Sequence, residues 1–490
     1  MEKPYEIVIG LEVHVQLLTR SKLFCGCSTE FGAPPNTQTC PVCIGMPGVL
    51  PVMNRHAFEL ALKTACALNC EIAPFTKWDR KNYYYPDLPK NYQISQYDLP
   101  FSRNGYLEIR SPEAEGGRRR IGIIRVHLEE DAGKSMHDEK AGRADSRIDL
   151  NRAGTPLLEI VTRPDLRSPT EAKVFLQELK LLLNYLGVSD CNMQEGSLRV
   201  DANINIRVNT PDGPVPTPIV EVKNMNSFRA VERALAYEAE RQYQEFLQTG
   251  KRLGEVPKQT RGWDDEAEVT RPQRTKEESS DYRYFPEPDL VPVVVTEAEI
   301  ARIRASLGEL PAALRERLER SYGLTAYDSD VLVSQGRPVV DYFEVLAQRC
   351  GEGKLAANWV QQEVLRYLNE KQVGIESFPI PAERLAELLA MIRERTLDTR
   401  RGREVFARML TTGETATEAL AALGFVDVSD EEIHALCRKL IAENPKTVAD
   451  VKAGKIKAVG GLVGQAKKIN PHVDPAKVRE VCLRLIGELA

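Results

Sequence analysis

No apolar run in this 490-residue chain approaches the roughly 18 residues needed to cross a bilayer, so no membrane-spanning helix is expected. The start, Met1-Glu2-Lys3-Pro4-Tyr5-Glu6, has no long apolar core ahead of a small-residue cleavage site. No secretory signal is therefore expected, and the cytoplasm is the expected compartment. An excess of positive charge is also missing: 66 Lys+Arg face 71 Asp+Glu, for a net charge of -5. A protein that holds DNA or RNA by bulk positive charge is thereby excluded, whereas a local basic patch is not. The general nucleotide and metalloprotease signatures are missing as well. There is no G-x-G-x-x-G and no H-E-x-x-H, and Gly133-Lys134-Ser135 ends like a phosphate loop while Leu128 stands where its first glycine belongs. With 42% hydrophobic and 28% charged residues the chain is not a disordered one.

At about 150 residues per domain the length suggests about three domains. In Ile7 to Leu17 the odd positions are apolar, while Glu12, His14 and Gln16 share the other face, which is the period of a strand. Leu198 to Val208 repeats the pattern, with Arg199, Asp201, Asn203 and Asn205 on the polar side. Asp, Asn and His are poor strand formers, so a face built from them is read as a cavity lining rather than a solvated face. Ser168-Pro169-Thr170-Glu171 reads as a capping box opening a helix that runs to about Leu186 and stops at Gly187. A second amphipathic helix is expected over Phe228–Gln248. Strands and helices mix here without a βαβ rhythm, so the class is α+β. From Glu297 onward the pattern is helical, broken at Gly308, Pro311, Gly323, Gly336, the Gly374–Pro381 stretch, Gly413, Gly424 and Pro445. The expected division is a mixed-sheet domain over 1–295, an all-helical domain over 296–405 and a small helical tail over 406–490.

Ten cysteines are unevenly spread. Cys25, Cys27, Cys40 and Cys43 form two close pairs across a short loop, the spacing of a zinc knuckle within 25–43; buried or redox thiols are the alternative. Four thiolates close a tetrahedron, so such a zinc is structural. Carboxylates stand in unusual company: Glu12 and His14 on one strand face, Glu129-Glu130-Asp131 after His127, and Glu159 inside an apolar run. A glutamate in an apolar run is costly unless paired or bound to a cation. A few carboxylates with an imidazole suit a hard cation that bridges a phosphate, with solvent-facing acids as the alternative. Asp79 to Asp87 and Lys90 to Gln96 interleave cations, tyrosines and amides. Lys81 there could hold a phosphate and a tyrosine could stack a base, or the stretch is simply a tyrosine-rich strand and loop.

Taken in order, Ile9 to His14, Asp79 to Pro86, Tyr92 to Gln96, Glu129 to Ser135, Asp149 to Ile160, Glu195 to Arg199 and Asp281 to Asp289 resemble one family, the B subunits of heterotrimeric aspartyl/glutamyl-tRNA amidotransferases. The tail, at Ala453-Gly454-Lys455 and Gly460 to Gln465, is similar to the C-terminal domain of that family, departing from it at Ala466 to Ile469. The resemblance implies a cradle-like N-terminal domain that holds a kinase and transamidase site, and an ATP-dependent, glutamine-using carbon–nitrogen ligase. In such an enzyme Glu-tRNA(Gln) or Asp-tRNA(Asn) is phosphorylated on its side-chain carboxylate by ATP, then amidated by ammonia from an amidase, the A subunit, with a small C subunit completing the heterotrimer. The partners implied are therefore the amidase, the small third subunit and a misacylated tRNA, and the cofactors ATP, Mg²⁺ and structural Zn²⁺. Carried over by the resemblance, the Mg²⁺ ligands are Glu12, His14, Glu130 and Glu159. Strand phase sets Glu129 rather than Glu130 beside His127, so ligation by Glu130 requires a turn or bulge. Lys81 and Lys134, with Ser135, are the expected ATP contacts. Glu129 and Asp201 complete the expected catalytic group. No Ser-Lys amidase signature is present, which agrees with glutamine hydrolysis on a partner. A non-catalytic tRNA-binding scaffold is the competing function. Between Val451 and Arg479, six lysines (452, 455, 457, 467, 468 and 477) and Arg479 are offset only by Asp474, an expected RNA contact.

Overall fold

The computed structural model describes residues 4–137, 146–273, 282–424, 430–470 and 473–488. It divides into two compact units, Met1–Arg317 and Leu318–Ala490. In chain order the first unit runs β1 (Tyr5–Gln16), α1 (Arg55–Ala67), β2 (Glu71–Ile72), β3 (Phe75–Thr76), β4 (Asp79–Asn82), β5 (Tyr92–Ser95), β6 (Ser102–Arg110), β7 (Arg118–Glu130), β8 (Lys134–His137), β9 (Ser146–Asp149), β10 (Pro156–Thr162), α2 (Pro169–Tyr185), β11 (Leu198–Thr210), β12 (Gly213–Pro216), β13 (Val220–Lys223), α3 (Phe228–Thr249), β14 (Gln259–Asp264), β15 (Val269–Pro272), β16 (Phe285–Pro286), β17 (Val293–Val294) and α4 (Glu297–Ala305).

Its main sheet is ordered β15-β14-β13-β11-β1-β10-β7-β6-β2, with β12 on β11. All neighbours are antiparallel except β13 and β14. The class is therefore α+β, as the sequence pattern implied. The expected phase holds in both long strands. Ile7, Ile9, Leu11, Val13 and Val15 are buried from β1, and Leu198 to Val208 buries its even positions. These side chains form one core with α1, α2 and α3. The opposite, polar face is met by a small sheet ordered β16-β4-β5, of which β5 lies against β7. A separate ribbon joins β8 to β9.

The start of α2 differs from the expected capping box. Ser168 accepts the N–H of Glu171 at 3.1 Å, but the Glu171 carboxylate accepts from the N–H of Arg167, one residue before the cap. Glu171 is buried, and Ser111 and Arg119 each donate to its other oxygen at 2.6 Å, which draws it off the reciprocal bond. The helix ends at Tyr185, and Gly187 turns with φ +65°.

Helix α5 (Pro311–Tyr322) spans the boundary of the two units, and the second unit continues with α6 (Ala326–Ser334), α7 (Arg337–Cys350), α8 (Gly353–Trp359), α9 (Leu365–Lys371), α10 (Ala382–Arg393), α11 (Thr399–Thr412), α12 (Ala416–Leu423), α13 (Asp430–Glu443), α14 (Pro445–Lys452), α15 (Val459–Ile469) and α16 (Pro475–Glu488). Helices α13 to α16 enclose a small core around Cys437, Leu440, Leu462, Val478 and Cys482. The two cysteines are plain core residues there, as isolated thiols should be. No helix among the described residues is long and apolar enough to cross a membrane.

Candidate functional site

The polar face of the main sheet is a lattice whose register fixes which groups meet. Along one row His14 of β1 lies opposite Glu159 of β10, and Glu159 lies opposite His127 of β7. Along the next row Asp201 of β11 lies opposite Glu12, Glu12 opposite Val161, and Val161 opposite Arg125. Period-2 alternation aims all of these side chains to one side, where they floor a cavity of about 380 Å³. Its walls include Lys81 of β4, Ser95 of β5, Tyr97, Tyr282 and Tyr284. The reading of an Asp/Asn/His strand face as a cavity lining therefore holds.

His14 and Glu159 of the floor and the buried Glu129 beside them bring one ligand atom each to within 4.8 Å of one another. The His14 Nε2 stands 3.5 Å from Glu159, and the His127 Nε2 stands 3.4 Å from Glu159 and 3.7 Å from Glu129. Ser95 donates to Glu129 at 3.1 Å. Burial works against the Glu159 carboxylate, yet His127, His14 and Lys81 outweigh it and hold its pKa well below the ordinary glutamate value. Burial likewise opposes a charged His14, but the Glu159 carboxylate overrides this and raises its pKa. The Lys81 ammonium, also opposed by burial, is kept above the ordinary lysine value by Glu129 and Glu159. It stands 5.2 Å from the Tyr282 ring centroid and 5.8 Å from that of Tyr83. Among the described residues, the buried polar atoms without a hydrogen-bond partner include His127 Nδ1 and Arg125 Nε of this floor and Asn203 Oδ1 of the residue that donates to Glu12. Two buried carboxylates and an imidazole converging on one point, with unsatisfied donors and acceptors around them, fit a hard divalent cation and its polar ligands.

The structure sorts the expected residues. Glu12, His14, Lys81, Glu159 and Asp201 line the cavity. Glu12 accepts from Asn203 Nδ2 at 2.9 Å rather than joining the three-ligand group, and Asp201 is paired with Lys223 at 2.6 Å. Glu129 is in the group and Glu130 is not. Strand β7 keeps regular pairing from Val126 to Glu130, with no bulge there, so Glu130 shares the face of Val126 and Leu128. On that face it forms a buried ion pair with Lys90 and accepts the N–H of Ile94 at 2.9 Å. Lys134 and Ser135 do not line the cavity: they sit on the β8–β9 ribbon opposite Asp149 and Ile148, and Lys134 is exposed. Gly133 donates its N–H to Asp87 O at 2.8 Å, and a strand rather than a helix follows, so this is no phosphate loop. Residues not singled out from sequence join the floor and rim: Arg125, His127, Glu221, Lys223 and Lys258. Parity was the available signal, since 125 and 127 share the face of 129.

Cys25, Cys27, Cys40 and Cys43 converge, with their sulfurs within 4.8 Å of one another. Lys22 is fully buried beside them, and among the described residues it has no carboxylate partner. Its ammonium donates to Gln38 O at 2.7 Å and approaches Leu150 O at 3.4 Å and Cys43 Sγ at 3.5 Å. A hydrogen bond from the Cys25 thiol, helped by Lys22, draws Cys43 down to a pKa of about 4. A four-sulfur cluster with a buried cation at its flank fits a tetrahedral, thiolate-bound metal ion.

The chain has relatives of known description. A family model described as "GatB/GatE catalytic domain" matches residues 7–301, and a second, "GatB domain", matches residues 341–486. The first range takes in both clusters, every residue that lines the cavity and all of the main sheet except Tyr5 and Glu6. Curated relatives described as the B subunit of aspartyl/glutamyl-tRNA(Asn/Gln) amidotransferase are similar over nearly their full lengths. That of Rhodopirellula baltica is 56% identical over 486 residues, covering 99% of this chain and 98% of its own. That of Carboxydothermus hydrogenoformans is 50% identical over 491 residues, covering 99% and 100%, and that of Moorella thermoacetica is 50% identical over 466 residues, covering 95% and 96%. The chain belongs to the B-subunit family of the aspartyl/glutamyl-tRNA(Asn/Gln) amidotransferases.

Proposed function

We propose that this chain carries the kinase and transamidase site of an enzyme that converts Glu-tRNA(Gln) to Gln-tRNA(Gln), Asp-tRNA(Asn) to Asn-tRNA(Asn), or both. The observation that carries the reading is the His14–Glu129–Glu159 group, of which His14 and Glu159 line the cavity together with Lys81. A carboxylate cannot be amidated directly, because the leaving group would be oxide. A carboxylate oxygen of the aminoacyl side chain attacks the γ-phosphorus of ATP, and ADP leaves. Ammonia then attacks the acyl carbon of the resulting acyl phosphate, the carbon–oxygen bond to phosphate breaks, and the amine sheds a proton as the amide forms. His14, Glu129 and Glu159 are the Mg²⁺ ligands, with Glu12 at the edge of the group. The bound cation supplies shielding of phosphate charge. Lys81, aimed by the Tyr83 and Tyr282 rings, contacts the transferred phosphate. Asp201 acts through Lys223, which it holds against the rim. The four cysteines hold a structural Zn²⁺ that fixes the knuckle against the 149–155 loop.

Ammonia comes from a separate amidase subunit, with a small third subunit, in a cytoplasmic heterotrimer. The helical tail is the tRNA contact, as the third part of the chain after the sheet domain and the helical middle. Its basic segment runs from the end of α14 through α15 into α16; Lys455, between α14 and α15, is tied to Asp450 at 3.1 Å, and Lys477 on α16 meets Asp430 at 2.8 Å. The test is amidation of both mischarged tRNAs by the reconstituted trimer. Glutamine and ATP together must yield amidated tRNA. Equal yield without ATP, or in the Lys81→Met enzyme, refutes the reading.

A further inference from the structure

Among the described residues four cations line the cavity, and three have an evident occupation. Lys223 is paired with Asp201 at 2.6 Å and Glu221 at 3.3 Å, Lys258 approaches Glu221 at 3.6 Å, and Lys81 lies among tyrosine rings in the field of Glu129 and Glu159. Arg125 is different. Its nearest carboxylate among the described residues is Glu159, at 3.9 Å, too long for a hydrogen bond, and its Nε–H is buried with no partner. The guanidinium is thus a two-pronged donor directed into a cavity with its fork unfilled. Its position in the lattice says what would fill it. Arg125 lies opposite Val161, on the far side of that apolar residue from Glu12, and two positions along β7 from His127. Residues two apart on a strand are about 7 Å apart, so a group held at Arg125 reaches toward the His14–Glu129–Glu159 group without entering it.

We infer that Arg125 binds the side-chain carboxylate of the aminoacyl-tRNA. The assignment rests on the amidation reading above and names the residue that recognises its acceptor. A planar guanidinium matches a carboxylate with two parallel N–H···O bonds. Val161, half-buried on the neighbouring strand, offers an apolar surface for the methylene carbons that precede that carboxylate. Each carboxylate oxygen then accepts one N–H of the fork, and each keeps a lone pair with which it can attack phosphorus. A phosphate ligand suits Arg125 less well, because the His14–Glu129–Glu159 group and Lys81 already provide for phosphate charge.

The experiment uses the assembled heterotrimer with Arg125→Gln and Arg125→Lys in this chain, each checked for its melting temperature. KM is measured separately for mischarged tRNA and for ATP. Removing one charged, bidentate interaction at a partly buried site corresponds to about a tenfold to hundredfold change. Arg125→Gln therefore raises the KM for mischarged tRNA by that factor and leaves the KM for ATP within about twofold. Arg125→Lys, which keeps the charge but not the fork, recovers part of the loss. A raised KM for ATP with an unchanged KM for tRNA makes Arg125 a phosphate contact and overturns the inference, as does a fall in kcat with both KM values unchanged. Wild-type amidation separates the two claims. If the wild-type trimer does not amidate with ATP, the functional reading falls and takes this one with it. If Arg125→Gln amidates with unaltered KM values, only the assignment of Arg125 falls.

Discussion

Replacing two adjacent glutamates of β7 by glutamine should produce opposite defects. Glu130 is 2% exposed, its partner Lys90 has a side chain 7% exposed, and the carboxylate also accepts the Ile94 N–H at 2.9 Å. Glu130→Gln retains an oxygen for that N–H but leaves the Lys90 ammonium buried without its counter-charge. Breaking one side of a buried ion pair costs about 3–5 kcal/mol. With a urea slope of about 3 kcal/mol per molar or more for a unit of this size, the unfolding midpoint falls by roughly 1 M. Glu129→Gln removes a member of the His14–Glu129–Glu159 group instead. Glu129 and Glu159 repel one another across that group, so neutralising one offsets part of the weakened interactions with Ser95 and His127, and the stability change is the smaller of the two. Its amidation rate falls by about a hundredfold or more at saturating tRNA, and the Mg²⁺ concentration needed for half-activity rises. Urea unfolding of each variant and Mg²⁺ titration of the assembled enzyme read the two effects. A Glu130→Gln enzyme of unchanged stability that has lost Mg²⁺-dependent activity, beside a Glu129→Gln enzyme that has kept it, would refute the account of this strand.

Four further outcomes are expected. The chain binds one equivalent of zinc, and Cys40→Ser or Cys43→Ser loses it, while the folded variant assembled with its partners keeps amidation within a few-fold of wild type; metal analysis and initial rates decide. Gly154 has φ +84°, and a Cβ there would lie 3.4 Å from both Cys43 Cβ and Lys22 Cδ, so Gly154→Ala destabilises the first unit by about 1–2 kcal/mol, measured by urea unfolding. Lys81→Met raises the KM for ATP and lowers kcat, whereas a change confined to the KM for tRNA would contradict its role. In the second unit burial disfavours the Asp328 carboxylate, but Lys354 at 2.6 Å and the Thr325 hydroxyl outweigh it and lower its pKa to about 2 from 3.8. A depressed carboxylate stabilises the fold above its unfolded pKa and stops doing so as pH falls through the folded one. The difference in stability between wild type and Asp328→Asn, about 2 kcal/mol at pH 6, therefore shrinks below pH 4 toward pH 2. A difference that grows on acidification contradicts the sign.

Strand phase is the most legible level of this sequence. Alternation alone puts Glu12, His14 and Gln16 on one face and Asp201 and Asn203 on another, and the poor strand propensity of those residues points to a cavity rather than to solvent. The same rule sets Glu129 beside His127, and regular pairing through β7 bears that phase out. It also carries Arg125, but an arginine within Arg118 to Arg125 is indistinguishable, by composition, from a solvated one. Convergence across strands is less legible. His14 meets Glu159 only because β1 and β10 are neighbours, and register between segments some 145 residues apart is set by the whole sheet. Tyr282 and Tyr284 reach Lys81 because β16 pairs with β4, a pairing across about 200 residues that no local pattern encodes. Lys134 and Ser135 illustrate the converse. A short motif looks like a nucleotide contact, and pairing of β8 with β9 turns it away from the cavity. The four cysteines need no such context, since ligand type and spacing alone define their cluster.

Phosphorylation of the aminoacyl carboxylate in this chain's cavity, as proposed above, is open to direct measurement. The most direct measurement supplies the assembled trimer with ATP labelled at the γ-phosphate and Glu-tRNA(Gln) or Asp-tRNA(Asn), withholds glutamine and ammonia, and quantifies label on the tRNA. Acid-labile label that becomes amidated tRNA on adding ammonia, and that is absent in Glu159→Gln, is the predicted result. Amidation that proceeds at the wild-type rate in Glu159→Gln, or with no phosphorylated tRNA at any time, contradicts it.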